Sequence, residues 1–505
     1  MNTTRRVAKN SVSLGLSTAI RIALGFAFTL YIGRTLGASW LGKLAILLAF
    51  LNIFQILAAF GIPPLVTREV ARDRAGATRY FYNALLAQGA LGLLASILMI
   101  LASLALSYPP DTTRMLIAAS PSVLLFAVAA AAHAILNAYE RMEYEAIIEA
   151  VSSTLQMIAL VSIPLEKTGV VGLAAIKVGG MAVNAALYLF FLSRLGVVGR
   201  PVFNLSSAWR LARHATDLVL LALSDAFLFR IDILVLSKIL DEASVGIYNA
   251  AQQLIKIVAL LAMAYGEALY PTLSRLHHSA PRFFLAAIRK SLQYGILLIL
   301  PLALGTTLLA RPLIVLLYGA TGYEASVLIL RILAWYMPVQ FAYVVYSKAL
   351  IASYQQRQAR QYAFIMVGAS LIYQVALTFV LGAPGAAVAT ILVYGTGALL
   401  TWRQVARTVG AFRLRIVFGK PILATAGMGL VVWPLHQQPL FLAVAVGIVV
   451  YGALLLLLRT FAREDWELVR RILSRQGSAS TSAIEAMQTD EVAVGPSLRS
   501  EGNQT

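Results

Sequence analysis

The chain has no cysteine, which excludes disulfides, thiolate metal sites and thiol catalysis. Charge is scarce as well. Asp, Glu, Lys and Arg make up 12% of the 505 residues, against roughly 25% in an ordinary soluble chain. Acidic residues are the rarer sign, 22 against 41 basic. Few carboxylates means few pairs able to act as general acid and base. The five histidines show no metal-ligand spacing, and His277-His278 falls in a basic loop as solvated surface. G-x-S-x-G, the Walker A loop and H-E-x-x-H are all missing. Hydrolysis of ATP by the chain itself is therefore not expected, and no enzyme constellation emerges. No A-x-A-like cleavage site follows a short apolar core near the start, so the first helix is expected to be retained.

What the chain does have is apolar length. Hydrophobic residues are 60% of the sequence, and mean hydropathy is +0.79. The apolar runs reach about 20 residues, the helix length that spans roughly 30 Å of hydrocarbon. They are continuous, not alternating, which argues against a β-barrel. Spans are expected at 10–31, 40–61, 81–106, 114–137, 146–164, 170–192, 215–236, 245–270, 291–310, 326–350, 361–381, 384–402, 419–434 and 440–458. The expected fold is an all-α polytopic membrane protein of about 14 helices.

A net charge of +19 resembles a nucleic-acid signal, but its placement does not. Assigned to alternate sides of the membrane, 28 Lys and Arg fall on one side and six on the other. The positive-inside rule then puts both termini in the cytoplasm. The excess meets anionic membrane lipid, and nucleic acid is not an expected partner.

The chain repeats itself. At a shift of 204 positions Arg6 falls on Arg210, Arg34 on Lys238, Gly42 on Gly246 and Arg21 on Asp225. Pro64-Leu-Val-Thr-Arg68 matches Pro271-Thr-Leu-Ser-Arg275 at a shift of 207. Tyr139 and Tyr354 hold similar places, and Gly172 and Gly385 open the sixth and twelfth helices. An even helix count per copy makes the repeats parallel, related about the membrane normal. The expected domains are a six-helix lobe at 1–200, a basic cytoplasmic linker at 201–214, a second six-helix lobe at 215–408, two further helices at 409–460, and a tail at 461–505. The tail is polar and expected to be disordered from about 476.

A charge at membrane depth costs at least about 2.5–3.5 kcal/mol, so each one needs a reason. In the first helix Asn10, Ser13, Ser17, Arg21 and Gly25 form a polar stripe. In the second, Asn52 and Gln55 share a face. In the seventh, Asp217, Ser224, Asp225 and Asp232 lie on one face, with Arg230 off it. In the eighth, Asn249, Gln252, Gln253, Lys256 and Glu267 form a stripe. These faces would line a water-filled cavity between the lobes. Arg230 and Asp232 either neutralise each other or face that cavity. Glu267 is either a member of the stripe or plain surface. Structural roles are expected for Lys177, Arg331 and Lys348.

GRTLGASWLGKLAIL (33–47), LVTREVARD (65–73), RIDILVLSKILDEASVGIYNAAQQL (230–254), LYPTLSRL (269–276) and ARPLIVLLYGATGYEASVLILRIL (310–333) resemble the bacterial and archaeal O-antigen and exopolysaccharide repeat-unit flippases. That family lies in the multidrug/oligosaccharidyl-lipid/polysaccharide exporter superfamily, beside the MATE exporters and the lipid II flippase. The resemblance covers about residues 1–460. It implies two lobes in a V, a cavity lined by the first, second, seventh and eighth helices, and a multi-pass protein of the plasma membrane. It also implies transfer of an undecaprenyl-pyrophosphate-linked oligosaccharide from the inner to the outer leaflet. Without a phosphate-binding loop that transfer is expected to be ion- or gradient-driven, or facilitated, with no cofactor and with H+ or Na+ as candidate coupling ions. A glycan polymerase and glycosyltransferases of the same pathway would be its partners. In that setting Arg21, Lys256 and Arg230 would meet pyrophosphate, and Asn52, Gln55, Asn249 and Gln252 would meet sugar hydroxyls. Asp225, Asp232 and Glu267 would serve coupling or gating, with Arg21 and Asp225 closing on each other in an empty cleft. The alternatives are a lipid II flippase, a cation-coupled drug exporter, and a membrane glycan polymerase or glycosyltransferase. The short outside loops argue against the last pair.

Overall fold

The computed structural model describes residues 3–460, apart from 280, 411, 413 and 459. The expected tail at 461–505 lies outside the described residues, as do the side chains of Asn10, Ser13 and Ser17. Every element is helical, and no strand occurs among the described residues. The N-lobe holds α1 (Thr3–Thr35), α2 (Ala38–Ala59), α3 (Ile62–Arg72), α4 (Ala77–Ala105), α5 (Pro110–Ala119), α6 (Pro121–Ala138), α7 (Met142–Ser162) and α8 (Leu165–Arg194). Next come α9 (Leu205–Ile239), α10 (Glu242–Ser279), α11 (Pro281–Leu308), α12 (Ala310–Tyr318), α13 (Glu324–Ala334), α14 (Tyr336–Ala352), α15 (Gln356–Leu381) and α16 (Ala383–Thr408). The chain closes with α17 (Leu414–Val432) and α18 (Leu440–Leu457).

Twelve segments among the described residues are long and apolar enough to cross a membrane. α1 and α9, at 33 and 35 residues, have spanning length too. The fourth and tenth crossings differ from the continuous helices expected at 114–137 and 326–350. Each is a pair, α5 with α6 and α13 with α14. Pro121 opens α6, because its missing N–H and fixed φ suit a first turn and not a helix interior. The second break falls at Trp335, whose N–H tightens onto the Ile332 carbonyl at 3.1 Å.

The internal repeat extends to backbone conformation. Gly169 and Gly382, 213 positions apart, take φ of 64° and 66° at matching turns. Glu140 and Tyr354 take φ of 58° and 60°. Behind each, a helix end is closed by the same six-residue hydrogen bond, Arg141 N–H to Leu136 O at 3.1 Å and Gln355 N–H to Leu350 O at 2.9 Å. One expected match fails. The first copy breaks at Phe60 and Gly61, with φ of 49° and 69°, and Pro63-Pro64 begin the short surface helix α3. The second copy runs through Pro271 inside α10. Ala268 stands where Gly61 does in the first copy, and a left-handed turn is strained for alanine.

Below, the near side is the one where α1 begins, and the far side is the one where α1 ends. One buried cluster runs through the C-lobe and crosses into the N-lobe along α2 and through the far-side parts of α1, α4 and α8. A second cluster belongs to the near-side half of the N-lobe and includes Ala208 and Ala215 of α9. The segment 201–214, expected as a separate linker, thus becomes helical at Leu205 and packs its first turns on the N-lobe. The two lobes share a core on the far side. On the near side α9 bridges them.

Candidate functional site

The lobes meet where α2 crosses α10 at Gly42 and Gly246. A Cβ on Gly42 would lie 1.8 Å from the Glu242 carbonyl oxygen, and one on Gly246 would lie 1.8 Å from the Ala38 carbonyl oxygen. These contacts are mirror images at the 204-residue shift, so the pseudo-two-fold axis passes between the two glycines. Small residues let membrane helices approach backbone to backbone, where packing replaces the absent hydrophobic drive.

Polar contacts surround this crossing. Lys43 lies 3.5 Å from both Asp111 and Glu242. Thr112 also donates to Glu242. Tyr108 OH shares a 2.8 Å bond with Ser237, and Tyr323 OH donates to the Gly33 carbonyl at 2.7 Å. Lys238 sits over the Tyr108 ring, 3.5 Å from its centroid. Together these groups seal the far side between the lobes. Asp241 caps the start of α10, accepting from Ser244 N–H at 3.1 Å. Glu242 beside it joins the lobes through Lys43 and Thr112.

The expected polar stripes separate into three places. Arg21 is exposed on α1 and has no ion pair within 4 Å among the described residues. Its electrostatic neighbour is Glu145 of α7. Asn52 and Gln55 are half-buried on α2. The second place lies inside the C-lobe. Asp232 accepts from Tyr248 OH at 2.9 Å, from Gln252, and from Ile233 N–H at 2.7 Å. Tyr248 reaches Thr390 at 3.4 Å, and Gln374 donates to Thr390 at 3.1 Å. Asp232, Gln252 and Lys256 line a small cavity of about 30 Å³ with Tyr336, Thr390 and Tyr394. The buried Lys256 ammonium has no hydrogen bond there, and Asp232 is its counter-charge. Arg230 adds a second positive charge beside the same carboxylate. Asn249 is buried nearby with its amide nitrogen unpartnered.

The third place is a near-side pocket of about 460 Å³ in the C-lobe. Asp225, Glu267, Lys348, Arg360, Tyr343 and Gln340 are among its walls. Glu267 and Lys348 form an ion pair at 2.6 Å. Arg21 and Asp225 are therefore not partners here. Asp225 has Lys348 as its cationic neighbour, and Arg21 has Glu145. Equal depth in two lobes does not make two side chains point at each other. Lys177 takes the structural role expected of it, lying 3.8 Å from the Phe28 centroid and donating to Gln156 at 3.2 Å.

A family model described as polysaccharide biosynthesis protein matches residues 7–277, more than half of the chain. The chain belongs to that family. Among its relatives is the probable flippase AglR of Haloferax volcanii, 24% identical over 473 residues, covering 89% of this chain and 95% of that protein. Another is the probable low-salt glycan biosynthesis flippase Agl15 of the same organism, 24% identical over 404 residues, with 78% and 82% covered. Among solved structures, the lipid II flippase MurJ in an inward closed conformation superposes with a TM-score of 0.72 at 16% identity, covering 88% of this chain and 98% of that one. An inward-facing MATE multidrug transporter superposes at 0.63 and 14% identity, covering 79% and 98%. The structural likenesses show a shared fold.

Sequence reading of this family member missed a polar cluster in the N-lobe. Glu145 contacts His133 at 3.2 Å, and His133 contacts Asn137 at 3.1 Å. Asn184 reaches Ser152 at 3.4 Å and Glu149 at 3.5 Å. The signal was present as i, i+4 pairs, His133 with Asn137 and Glu145 with Glu149, each on one helix face.

Proposed function

We propose that this chain is a flippase for a lipid-linked oligosaccharide, a non-enzymatic transporter that works by alternating access. The carrier we propose is a polyprenyl pyrophosphate, with undecaprenyl as the case expected from the sequence. The observation that carries the reading is the joint between the lobes, closed on the far side by two glycines and a ring of polar contacts. Parting such a joint separates the buried contacts the lobes share around α2 and α10 and leaves the near-side core of the N-lobe packed. Family membership and the two Haloferax relatives named as probable flippases support the cargo class.

The physical fit is direct. With the near side cytoplasmic, as the basic excess implies, cargo would enter from the inner leaflet. A pyrophosphate and a sugar chain need a wet, cationic path, while the lipid tail stays in the bilayer. Arg21 offers a guanidinium with no ion pair among the described residues, suited to bidentate phosphate contact. Asn52 and Gln55 would serve sugar hydroxyls. Lys256, Arg230, Asn249 and Gln252 sit in or beside the C-lobe interior, and their contact with cargo would require the lobe to open. Coupling to H+ or Na+ through Asp225, Asp232 or Glu267 belongs to the same proposal.

The test is flipping of a fluorescent polyprenyl-pyrophosphate oligosaccharide in vesicles that hold the purified protein. Wild type and Arg21→Ala run side by side, with lipid II and a cationic dye as other cargoes. Flipping of the oligosaccharide lipid that Arg21→Ala abolishes supports the proposal. Dye movement without lipid flipping would place the protein with the drug exporters, and preference for lipid II would place it with that flippase.

A further inference from the structure

A further polar cavity lies away from the lobe joint. It holds about 350 Å³ on the near side, between α3, α4 and the first turns of α9. Arg68, Arg79, Arg210 and His214 line it, with Glu69, Tyr80, Asn83 and Ser207. Glu69 answers Arg68 at 2.9 Å and reaches Arg72 at 4.0 Å. Arg79 and Arg210 have no carboxylate within 4 Å among the described residues. Arg79 rests over the Tyr80 ring at 5.5 Å, and Arg210 donates to Ser207 at 2.9 Å. The cavity thus carries two uncommitted guanidinium groups, beside a third that is paired and a histidine.

The wall contributed by α9 is fixed in place. Asn83 accepts from Asn204 N–H at 2.8 Å, and Asn204 caps α9 by accepting from Ser207 N–H at 3.0 Å. Thr78 and Tyr82 donate to the Val197 and Gly199 carbonyls at 2.8 and 3.0 Å. Ser207, Arg210, Leu211 and His214 follow helical spacing, so one face of α9 turns into the cavity. The opposite face carries Leu205 and Trp209, which are 76% and 70% exposed. Val202 and Phe203 just before them are exposed as well. A basic amphipathic segment with exposed tryptophan lies at the level of the lipid headgroups. The guanidinium cavity therefore opens at headgroup depth.

We propose that this cavity binds the phosphate headgroup of an anionic phospholipid from the near-side leaflet. A phosphodiester offers two oxygens to guanidinium forks, which is the geometry arginine matches best. The cavity size lies within the range of small-ligand sites. Its walls join the N-lobe to the helix that leads into the C-lobe, so a bound lipid ties that helix to the N-lobe. The proposal does not depend on what the protein transports.

The test uses the full chain in lipid nanodiscs and in detergent. Hydrogen exchange of the wild type is compared in phosphatidylglycerol and phosphatidylcholine discs. Protection at 65–83 and 205–214 confined to the anionic discs is expected, and equal exchange would overturn the proposal. Native mass spectrometry then compares phosphatidylglycerol retention by wild type, Arg79→Gln/Arg210→Gln and Arg79→Lys/Arg210→Lys. Each basic residue near a membrane surface is worth about 1 kcal/mol, so the Gln pair should bind about 30-fold more weakly and the Lys pair should keep most of the affinity. Unchanged retention by a folded Gln pair would overturn the proposal. Displacement of the lipid by millimolar inorganic phosphate would overturn it in favour of a soluble phosphate ligand.

Discussion

Gly246→Ala should open the far side. The added Cβ would stand 1.8 Å from the Ala38 carbonyl oxygen and 2.9 Å from the Gly42 nitrogen. Real Cβ atoms essentially never come within 3.0 Å of another heavy atom, so the helices must part by at least 1.2 Å at the crossing. Both obstacles are backbone atoms, and no side chain can rotate away to relieve the clash. Overpacking of a fitted contact costs about 1–3 kcal/mol. That cost falls on the far-side-closed arrangement, because a parted crossing has room for the methyl. The closed population should drop about 5- to 150-fold relative to the open one. Gly42→Ala acts on the same crossing, so the double variant should cost less than the two single effects combined. Gly305→Ala is the control, since its Cβ would meet nothing within 4 Å. The chain's lack of cysteine makes the measurement clean. Spin labels on Lys167→Cys and Thr321→Cys report the far-side distance between the lobes by double electron–electron resonance. The labelled wild type should show one short distance, and Gly246→Ala should move population to longer ones. An unchanged distribution in folded Gly246→Ala would refute the claim that this crossing holds the far side shut.

Asp232→Ala removes the acceptor of Tyr248 and Gln252 and the counter-charge of Lys256, and should destabilise the protein by about 3–5 kcal/mol in denaturant titrations. Adding Lys256→Met should restore part of that loss, and no restoration would show that the two charges are not coupled. Glu267→Gln breaks a 2.6 Å ion pair, but Glu267 is 71% exposed, so the stability change should stay within about 1 kcal/mol in the same titration. Tyr323→Phe leaves the buried Gly33 carbonyl without its donor, and should weaken the far-side seal by about 1–3 kcal/mol in the resonance assay. Burial raises the Tyr323 phenol above its ordinary value, so its bond should hold through neutral pH, and its contribution should be lost only as pH rises above about 10.

The sequence showed the architecture because glycine marks it. Gly42 and Gly246 paired at the repeat shift, and they turn out to touch at the axis of that repeat. Spanning helices were legible from hydropathy, but the breaks at Ser120 and Trp335 were not. Hydropathy averages over a window, and a broken helix is as apolar as a straight one. The candidate site was read from depth and helix face, without the neighbours each face meets. Depth placed Asp232, Gln252 and Lys256 on a cavity wall, whereas Asp232 closes with Tyr248 and Gln252, and Tyr248 reaches Thr390 of α16, more than a hundred residues away. Tertiary contacts of that separation leave no local pattern. Arg21 and Asp225 failed as a pair for a related reason, since nearer partners, Glu145 and Lys348, lay on helices the stripe argument did not include.

The two lobes share a backbone plan and differ in how they treat polarity. A charge at membrane depth must face water, a counter-charge or an anion, or else cost several kcal/mol. The C-lobe answers with internal pairing. Asp232 sits among Tyr248, Gln252 and Lys256, and such a network rigidifies the helices that supply it. In the N-lobe Arg21 stays exposed, and Asn52 and Gln55 are half-buried on the neighbouring helix. An exposed guanidinium with no carboxylate within 4 Å among the described residues keeps most of its capacity for an incoming anion. Under the proposed function the pyrophosphate would thus engage the N-lobe first, while the C-lobe turns about the glycine crossing as a stiff body. The asymmetry follows from the repeat itself, because Arg21 and Asp225 occupy equivalent positions with opposite charge. Two copies with the same sign at that position would bind an anion symmetrically, and would also repel each other across an empty cleft.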